Sequence, residues 1–278
     1  MTGFGRFQVA VCNQGFYKLD GGAMFGNVPK TLWSRLIPAD EDNRIRLATN
    51  SLLVRAGERL FLVDAGNGDR MTDKHRRIFG IEPLPDGPEG IEPAAVTDII
   101  LTHLHFDHSG GLAAAGPEGP DGPPLRFPGA RVYVQTANLE NARRPNPREK
   151  ASYLAENIAL LDRSKIYLTE GSQELVPDLW VHRSDGHTRG LQGVEVRDGD
   201  RSLVFPSDMI PTSHHLPLPF TMGYDMCVER LMAEKEVLLR RAVENDWILV
   251  FVHDPDVPAA RIKIDERGHY AVREAVAL

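Results

Sequence analysis

The amino-acid sequence predicts an α/β (α+β) fold in which two β-sheets pack together and helices cover their outer faces. Apolar, β-branched runs of strand length recur along the 278 residues, a glycine turn joins two of them as a hairpin, and amphipathic helical stretches lie between later runs. A sheet must bury its apolar face against another layer, so hairpins followed by strand–helix units indicate a layered fold. We expect one domain over residues 1–278.

The strands are predicted from short apolar runs bounded by turn residues. Residues 50–55 and 59–64 form the hairpin, with Gly57 in the turn. Residues 82–93 and 116–128 are so rich in proline and glycine that we predict surface loops there. Further strands are predicted at 96–101, 131–135, 179–183, 193–197, 202–205 and 247–252.

Three helices are predicted from apolar residues at helical spacing. The longest is expected at 226–245, where charged side chains such as Lys235 lie largely off the apolar stripe. The other two are expected at 72–79 and 148–163. The stripe of the longest helix contains Val228, Leu231, Leu238 and Ala242.

The composition excludes several classes of protein. Acidic residues outnumber basic ones by 39 to 32, and the net charge of −7 argues against nucleic acid or an anionic membrane as partner. No run approaches the roughly 18 apolar residues of a membrane span, and the N-terminus lacks the apolar segment of a signal peptide. Two distant cysteines, Cys12 and Cys227, form no disulfide framework. We therefore expect a cytoplasmic protein.

Three of the ten histidines lie within six residues, in the segment THLHFDHSGG that follows the predicted strand 96–101. Alternate residues of an extended segment point to the same side, so His103 and His105 could bind one ion. Asp107 and His108 begin the turn into two glycines and could face a second ion. Imidazole and carboxylate ligands suit zinc, with manganese, iron or cobalt as alternatives, and the lack of cysteine argues against a closed structural zinc site.

Three further metal-competent side chains follow predicted strands, where sheets present their functional loops. His187 lies in the loop segment DGHTRG, Asp208 ends the segment FPSD, and His253 lies in FVHD. Each alone would more often be structural, because buried histidines and strand-end aspartates commonly form local hydrogen bonds. Together they supply the ligands that a two-metal site requires.

These motifs, with LVDAG around Asp64, resemble the metallo-β-lactamase superfamily and occur in its order between residues 64 and 254. The resemblance implies an αββα sandwich of two mixed β-sheets flanked by helices, with the site at one edge. It implies that Asp208 bridges two metals and that Asp64 supports the site without binding them. The first metal would be bound by His103, His105 and His187, and the second by Asp107, His108 and His253.

Residues 19–26, 29–30 and 207–215 are similar to the quorum-quenching lactonase-like branch and its organophosphate-hydrolase relatives. This similarity implies a small lactone or ester substrate. Lactonases carry a tyrosine three residues after the bridging aspartate, but this sequence has Pro211 there. The difference puts acyl-homoserine lactones themselves in doubt as substrates. His214 or Tyr224 becomes the candidate hydrogen-bond donor to the substrate. The candidate substrate contacts are Met24, Phe25, Phe106, His214 and Tyr224.

The implied activity is hydrolysis by two divalent metal ions, in which a metal-bridging hydroxide attacks the carbonyl carbon of a lactone or carboxylic ester. Asp107 is the candidate catalytic residue, because its carboxylate could also hold the nucleophile. Phosphotriester hydrolysis and glyoxalase-II-like thioester hydrolysis remain alternatives at the same site. The oligomeric state, a homodimer included, stays open.

Three other classes fit the sequence less well. A nuclease predicts basic patches and an extra domain, which the charge and the length disfavour. A flavodiiron protein expects glutamate at the place of His105 and a flavin domain. A binding protein without catalysis would be expected to have lost ligands, whereas all seven are here.

Overall fold

Two β-sheets pack face to face in the computed structural model, and helices cover the outer face of each. This arrangement confirms the predicted layering. The structure describes residues 1–83, 92–119 and 122–278. Residues 84–91 and 120–121, inside the predicted loops 82–93 and 116–128, lie outside the described residues. That residues 1–278 form one domain stays a prediction.

Eight strands of the described residues form the first sheet. They are β1 (Thr2–Phe4), β2 (Phe7–Asp20), β3 (Arg44–Ala56), β4 (Arg59–Val63), β5 (Glu82–Pro83), β6 (Asp98–Ile100), β7 (Arg131–Gln135) and β8 (Lys165–Thr169). The order is β1-β2-β3-β4-β6-β7-β8, and β5 pairs with β2. Strands β1 to β4 pair antiparallel, whereas β4, β6, β7 and β8 pair in parallel, so the sheet is mixed.

Seven strands of the described residues form the second sheet, in the order β15-β14-β13-β12-β11-β10-β9. They are β9 (Gln173–Val176), β10 (Leu179–Ser184), β11 (Leu191–Asp198), β12 (Arg201–Phe205), β13 (Ile248–Val250), β14 (Ala259–Ile264) and β15 (Tyr270–Ala275). The pair β12–β13 is parallel and the other neighbours are antiparallel. Fully buried apolar side chains from both sheets, including Leu52, Phe61, Val194 and Phe205, form the core between them.

The helices are α1 (Gly21–Phe25), α2 (Lys30–Trp33), α3 (Asp73–Phe79), α4 (Phe106–Ser109), α5 (Thr136–Arg143), α6 (Ala155–Leu161) and α7 (Val228–Glu244). Helices α5 and α6 pack on the outer face of the first sheet, and α7 packs on that of the second. Among the described residues, no helix combines the length and the apolar character that crossing a membrane requires.

The eight predicted strands correspond to β3, β4, β6, β7 and β10 to β13. The sequence analysis does not predict the 14-residue strand β2 or the strands β1, β5, β8, β9, β14 and β15. The helix predicted at 148–163 is wrong in its first half, because α6 begins only at Ala155. Glu149 and Tyr153 turn their side chains inward, and both reach the hydroxyl of Thr188. These distant hydrogen bonds override the local preference for a helix.

The predicted apolar stripe of α7 also requires correction. Val228 is 38% exposed, whereas Lys235 is fully buried. The ammonium Nζ of Lys235 donates to the carbonyl oxygens of Pro217 and Phe220, both at 2.9 Å. These bonds offset part of the cost of burying the ammonium, so a charged side chain replaces an apolar one on the inner face.

The free energy of unfolding is expected to rise from about pH 7 to about pH 9 more steeply in the wild type than in Lys235→Met. Burial lowers the pKa of Lys235 to about 7 from 10.5. Between these values the unfolded chain binds more protons than the folded chain, so stability rises with pH by up to about 1.4 kcal/mol per unit. Urea unfolding of both proteins at several pH values measures the difference. Equal slopes would contradict the lowered pKa.

Candidate metal centre

The turn after β6 carries the four residues of the histidine motif and is held against the chain that follows β4. A Cβ atom at Gly111 would lie 1.9 Å from the carbonyl oxygen of Ala65, so only glycine permits this approach. The amide of Ala65 donates to the carbonyl oxygen of His108 at 2.8 Å. The two glycines of the motif therefore fix where the histidine segment lies.

The structure brings all seven predicted ligands together in two buried groups. Within each group the candidate donor atoms lie within 4.8 Å of one another. His187 comes from the loop between β10 and β11, Asp208 from the turn after β12, and His253 from the segment that follows β13. The first group is His103, His105, His187 and Asp208, and the second is Asp107, His108 and His253.

Asp208 belongs to the first group but lies between the histidines of the two groups, and it directs one carboxylate oxygen towards each set. Its Oδ2 is 3.2 Å from Nε2 of His187 and 3.8 Å from Nε2 of His103. Its Oδ1 is 3.0 Å from Nε2 of His253 and 3.4 Å from Nε2 of His108. The preceding Ser207 has a φ of +54°, a strained conformation for a residue with a side chain, which turns the chain sharply at this point.

The donor atoms fit divalent cations. Asp208 Oδ1 and His108 Nε2 are buried, and neither has a hydrogen-bond partner among the described residues. Buried polar atoms are normally paired, so two that face each other without a bond indicate a ligand between them. Imidazole nitrogens with carboxylate oxygens are the donors that zinc and related ions prefer.

The site combines mutual repulsion among imidazoles with attraction to carboxylates. Burial, with His108 and His105 nearby, holds the pKa of His103 well below its usual range, which favours the neutral imidazole that binds metals. Burial alone would lower the pKa of His108, but Asp107 and Asp208 outweigh it and raise that pKa. Burial alone would raise the pKa of Asp208, but the surrounding histidines hold it well below its usual range.

Carboxylates behind the two groups orient the imidazoles. Asp64 accepts from the amide of Thr102 and lies 2.8 Å from Nδ1 of His108. Asp225 lies 2.8 Å from Nδ1 of His187. Such outer partners fix the ring orientation of metal-binding histidines.

A third carboxylate approaches from the segment between α5 and α6. Glu149 Oε2 lies 4.0 Å from Nε2 of His105, beyond hydrogen-bond distance, so this contact is electrostatic. The sequence identified Asp64 as a supporting residue but missed Asp225 and Glu149. Neither belongs to a motif, and no pattern in the sequence marks them.

Tyr17 is a further residue that the sequence did not identify. It lies on β2, is fully buried, and donates its hydroxyl to Oδ2 of Asp107 at 2.6 Å. Burial, with Asp107 and Asp208 nearby, raises the pKa of Tyr17 well above its usual range. The phenol therefore keeps its proton and acts as a donor.

A cavity of about 170 Å³ opens beside the two groups. Three of the five predicted substrate contacts, Met24, Phe106 and Tyr224, line it. Among the described residues its lining does not include Phe25 or His214, whose contacts with substrate stay predictions. Phe25 instead stacks between Trp33 and His215. The rest of the lining includes Tyr17, Leu19, Phe79 and Met222.

A larger cavity of about 450 Å³ lies between α7 and the second sheet. It contains none of the candidate ligands. A catalytic site requires polar side chains that point to one place, and these line the smaller cavity. We therefore assign the candidate active site to the smaller cavity.

Comparison with known proteins gives consistent results. The family model described as metallo-beta-lactamase superfamily matches residues 44–253. A Gallus gallus protein named acyl-coenzyme A thioesterase MBLAC2 is 29% identical over 205 residues, which are 70% of each chain. An N-acyl homoserine lactonase of a Bacillus species is 28% identical over 190 residues, which are 66% of this chain and 64% of that protein. A solved structure of a probable metal-dependent hydrolase from Staphylococcus aureus superposes with a TM-score of 0.84 at 27% identity, covering 99% of this chain and 100% of that one.

Proposed function

Since this chain belongs to the metallo-beta-lactamase superfamily, we propose that it is a binuclear metal-dependent hydrolase that opens lactones or cleaves carboxylic esters. One observation carries the proposal: the two carboxylate oxygens of Asp208 face two different groups of imidazoles. A carboxylate that bridges two cations requires this arrangement, whereas a hydrogen-bonded structural aspartate does not.

The seven residues would hold two divalent cations, with zinc favoured by the donor set and manganese, iron or cobalt as alternatives. When bound, the ions supply hydroxide at neutral pH and a Lewis acid for the carbonyl oxygen. Asp208 would be shared by both ions. The first ion would be held by His103, His105 and His187, and the second by Asp107, His108 and His253.

The protein residues bind and orient the substrate beside these groups. Asp107 lines the cavity and is buried, so its carboxylate can accept a hydrogen bond from the attacking water and direct it to the carbonyl carbon. Apolar side chains, including Met24 and Phe106, line the cavity and exclude other water. The volume of about 170 Å³ lies below the usual range for drug-sized ligands and favours a compact substrate.

Thioesters are the second candidate substrate class, because the relative named as a thioesterase is as similar to this chain as the lactonase is. Hydrolysis of a thioester and of an ester would use the same carbonyl chemistry and the same residues. Pro211 lacks the phenolic hydroxyl that lactonases carry at this position, which keeps thioesters as a candidate beside lactones. The backbone carbonyl oxygen of Pro211 accepts a hydrogen bond from the amide of His253 at 2.8 Å.

A substrate panel tests the proposal. We expect kcat/KM for a short-chain lactone or ester to exceed that for the matching thioester and for a phosphotriester by at least about tenfold, a difference of about 1.4 kcal/mol in transition-state stabilisation. The panel should be run with zinc, manganese and cobalt. Faster hydrolysis of the thioester would favour the second candidate. Hydrolysis of none of the three classes would contradict the proposed function.

A further inference from the structure

We propose that Tyr17 is a positioning residue that holds the carboxylate of Asp107 in the orientation required by the second group of ligands. The inference rests on the proposed function, because it assigns a role within that site. Tyr17 precedes residues 44–253, so it lies outside the part of the chain that the family model matches.

The contact with Asp107 is the shortest that the Tyr17 hydroxyl makes, and the same hydroxyl lies 3.3 Å from each ring nitrogen of His253. The Tyr17 hydroxyl lies 2.6 Å from Oδ2, at the short end of the range for hydrogen bonds between a hydroxyl and a carboxylate. An ionised carboxylate only accepts hydrogen bonds, so the phenol is the donor. Among the described residues, Tyr17 is the hydrogen-bond donor to this carboxylate, although Asp107 is only 7% exposed.

The phenol contacts the same carboxylate oxygen that faces the second group. Oδ2 of Asp107 lies 3.5 Å from Nε2 of His253 and 3.7 Å from Nε2 of His108. Asp107 lies in the first turn of the four-residue helix α4, which gives its side chain little support. A donor on β2 therefore decides which way the carboxylate turns.

The strand pair that carries Tyr17 also supports His253. Tyr17 pairs with Leu47 on β3, and the next residue, Ala48, accepts from Nδ1 of His253 through its carbonyl oxygen at 2.9 Å. The amide of Ala48 donates to the carbonyl oxygen of His253 at 3.1 Å. Strands β2 and β3 thus align two of the three residues in the second group, whereas Asp225 and Glu149 support the first group.

A β-bulge in β2 directs Tyr17 to this position. The register shifts between Asn13 and Phe16, which places one extra residue in β2 relative to β3. Because side chains alternate along a strand, one extra residue reverses the face to which every later side chain points. Without the bulge, Tyr17 would share the face of Val9, which packs between the sheets. The bulge therefore sets the face of the sheet from which Tyr17 contacts Asp107.

The test compares Tyr17→Phe with Tyr224→Phe, two variants that each lose one phenolic hydroxyl from the same cavity. Apo protein is titrated with Zn²⁺ against a chromophoric chelator, and metal content is checked by elemental analysis. We expect Tyr17→Phe to weaken binding of one of the two ions by about 10- to 100-fold and to leave the other unchanged, as for other partners that orient metal ligands. Tyr224→Phe should bind both ions as the wild type does. In kinetics, Tyr17→Phe should lower kcat with little change in KM.

The outcomes separate the inference from the proposed function. If the wild type binds fewer than two ions, the proposed function fails and the inference fails with it. If the wild type binds two ions and Tyr17→Phe binds both equally well, only the inference is overturned. The absorption spectrum of Co²⁺-loaded protein gives a second readout at saturating metal. It should change in Tyr17→Phe and not in Tyr224→Phe, and identical spectra for all three proteins would also overturn the inference.

Discussion

Replacing Asp208 by alanine is expected to lower hydrolysis of the best substrate by more than about 100-fold and metal content from about two ions per chain to one or fewer. The loss should exceed the 10- to 100-fold cost of removing residues that merely orient metal ligands, because Asp208 faces both groups. Without its negative charge, two cations a short distance apart would repel each other with little compensation. Elemental analysis and steady-state kinetics on the purified variant measure both effects.

Two controls separate the shared charge from general disruption. Asp208→Asn keeps the shape of the side chain but not its charge, so its metal content should fall almost as far as that of Asp208→Ala. Asp162→Ala removes an exposed carboxylate that pairs with Arg143 at 2.7 Å and should leave metal content and activity unchanged, as expected for a surface ion pair. An Asp208→Ala protein that keeps two ions and its activity would refute the bridging role.

Removing metal from the wild type with a chelator is expected to abolish activity and to lower the thermal midpoint by about 5 °C or more. An ion that binds the folded state alone adds about 2.7 kcal/mol at a free concentration 100 times its dissociation constant, and a protein of this size shifts by a few degrees per kcal/mol. Adding Zn²⁺, Mn²⁺ or Co²⁺ should restore both properties. Differential scanning fluorimetry during a metal titration follows the midpoint.

The stoichiometry of this recovery is the decisive quantity. Two groups of ligands predict that activity returns only as the second equivalent of metal binds. Full activity at one equivalent, or activity unaffected by the chelator, would contradict a binuclear site. Asp208→Ala serves as the control, since added metal should raise its thermal midpoint much less.

The seven candidate ligands could be predicted from the sequence because only a few side-chain types bind metal ions. Three histidines and an aspartate in six residues provide such side chains within one turn, and His187, Asp208 and His253 each follow a strand. The family match and the hydrolases among the relatives confirm the predicted class, a metal-dependent hydrolase acting on ester bonds. A homodimer stays a prediction.

Apart from Asp64, the residues that contact these candidate ligands from behind could not be predicted from the sequence. Asp225 and Tyr17 contact candidate ligands that lie 38 and 90 residues away along the chain, and no local pattern connects them. The charge of Lys235 predicts a position off the apolar stripe of α7, because charged side chains are usually exposed. Its ammonium is buried because two carbonyl oxygens of the segment 217–220 accept its hydrogen bonds, which depends on how that segment folds against the helix.

Residue types and their local spacing were therefore enough to predict the layered fold and seven candidate metal ligands, and the family resemblance that the motifs carry implied the class of reaction. The packing of the folded chain was needed to show which oxygen of Asp208 faces which group, that Tyr17 contacts Asp107, and that Phe25 stacks between Trp33 and His215. These features depend on strand register, on one bulge in β2, and on the packing of two sheets. They are set by contacts between residues far apart in the chain, which periodicity and spacing do not encode.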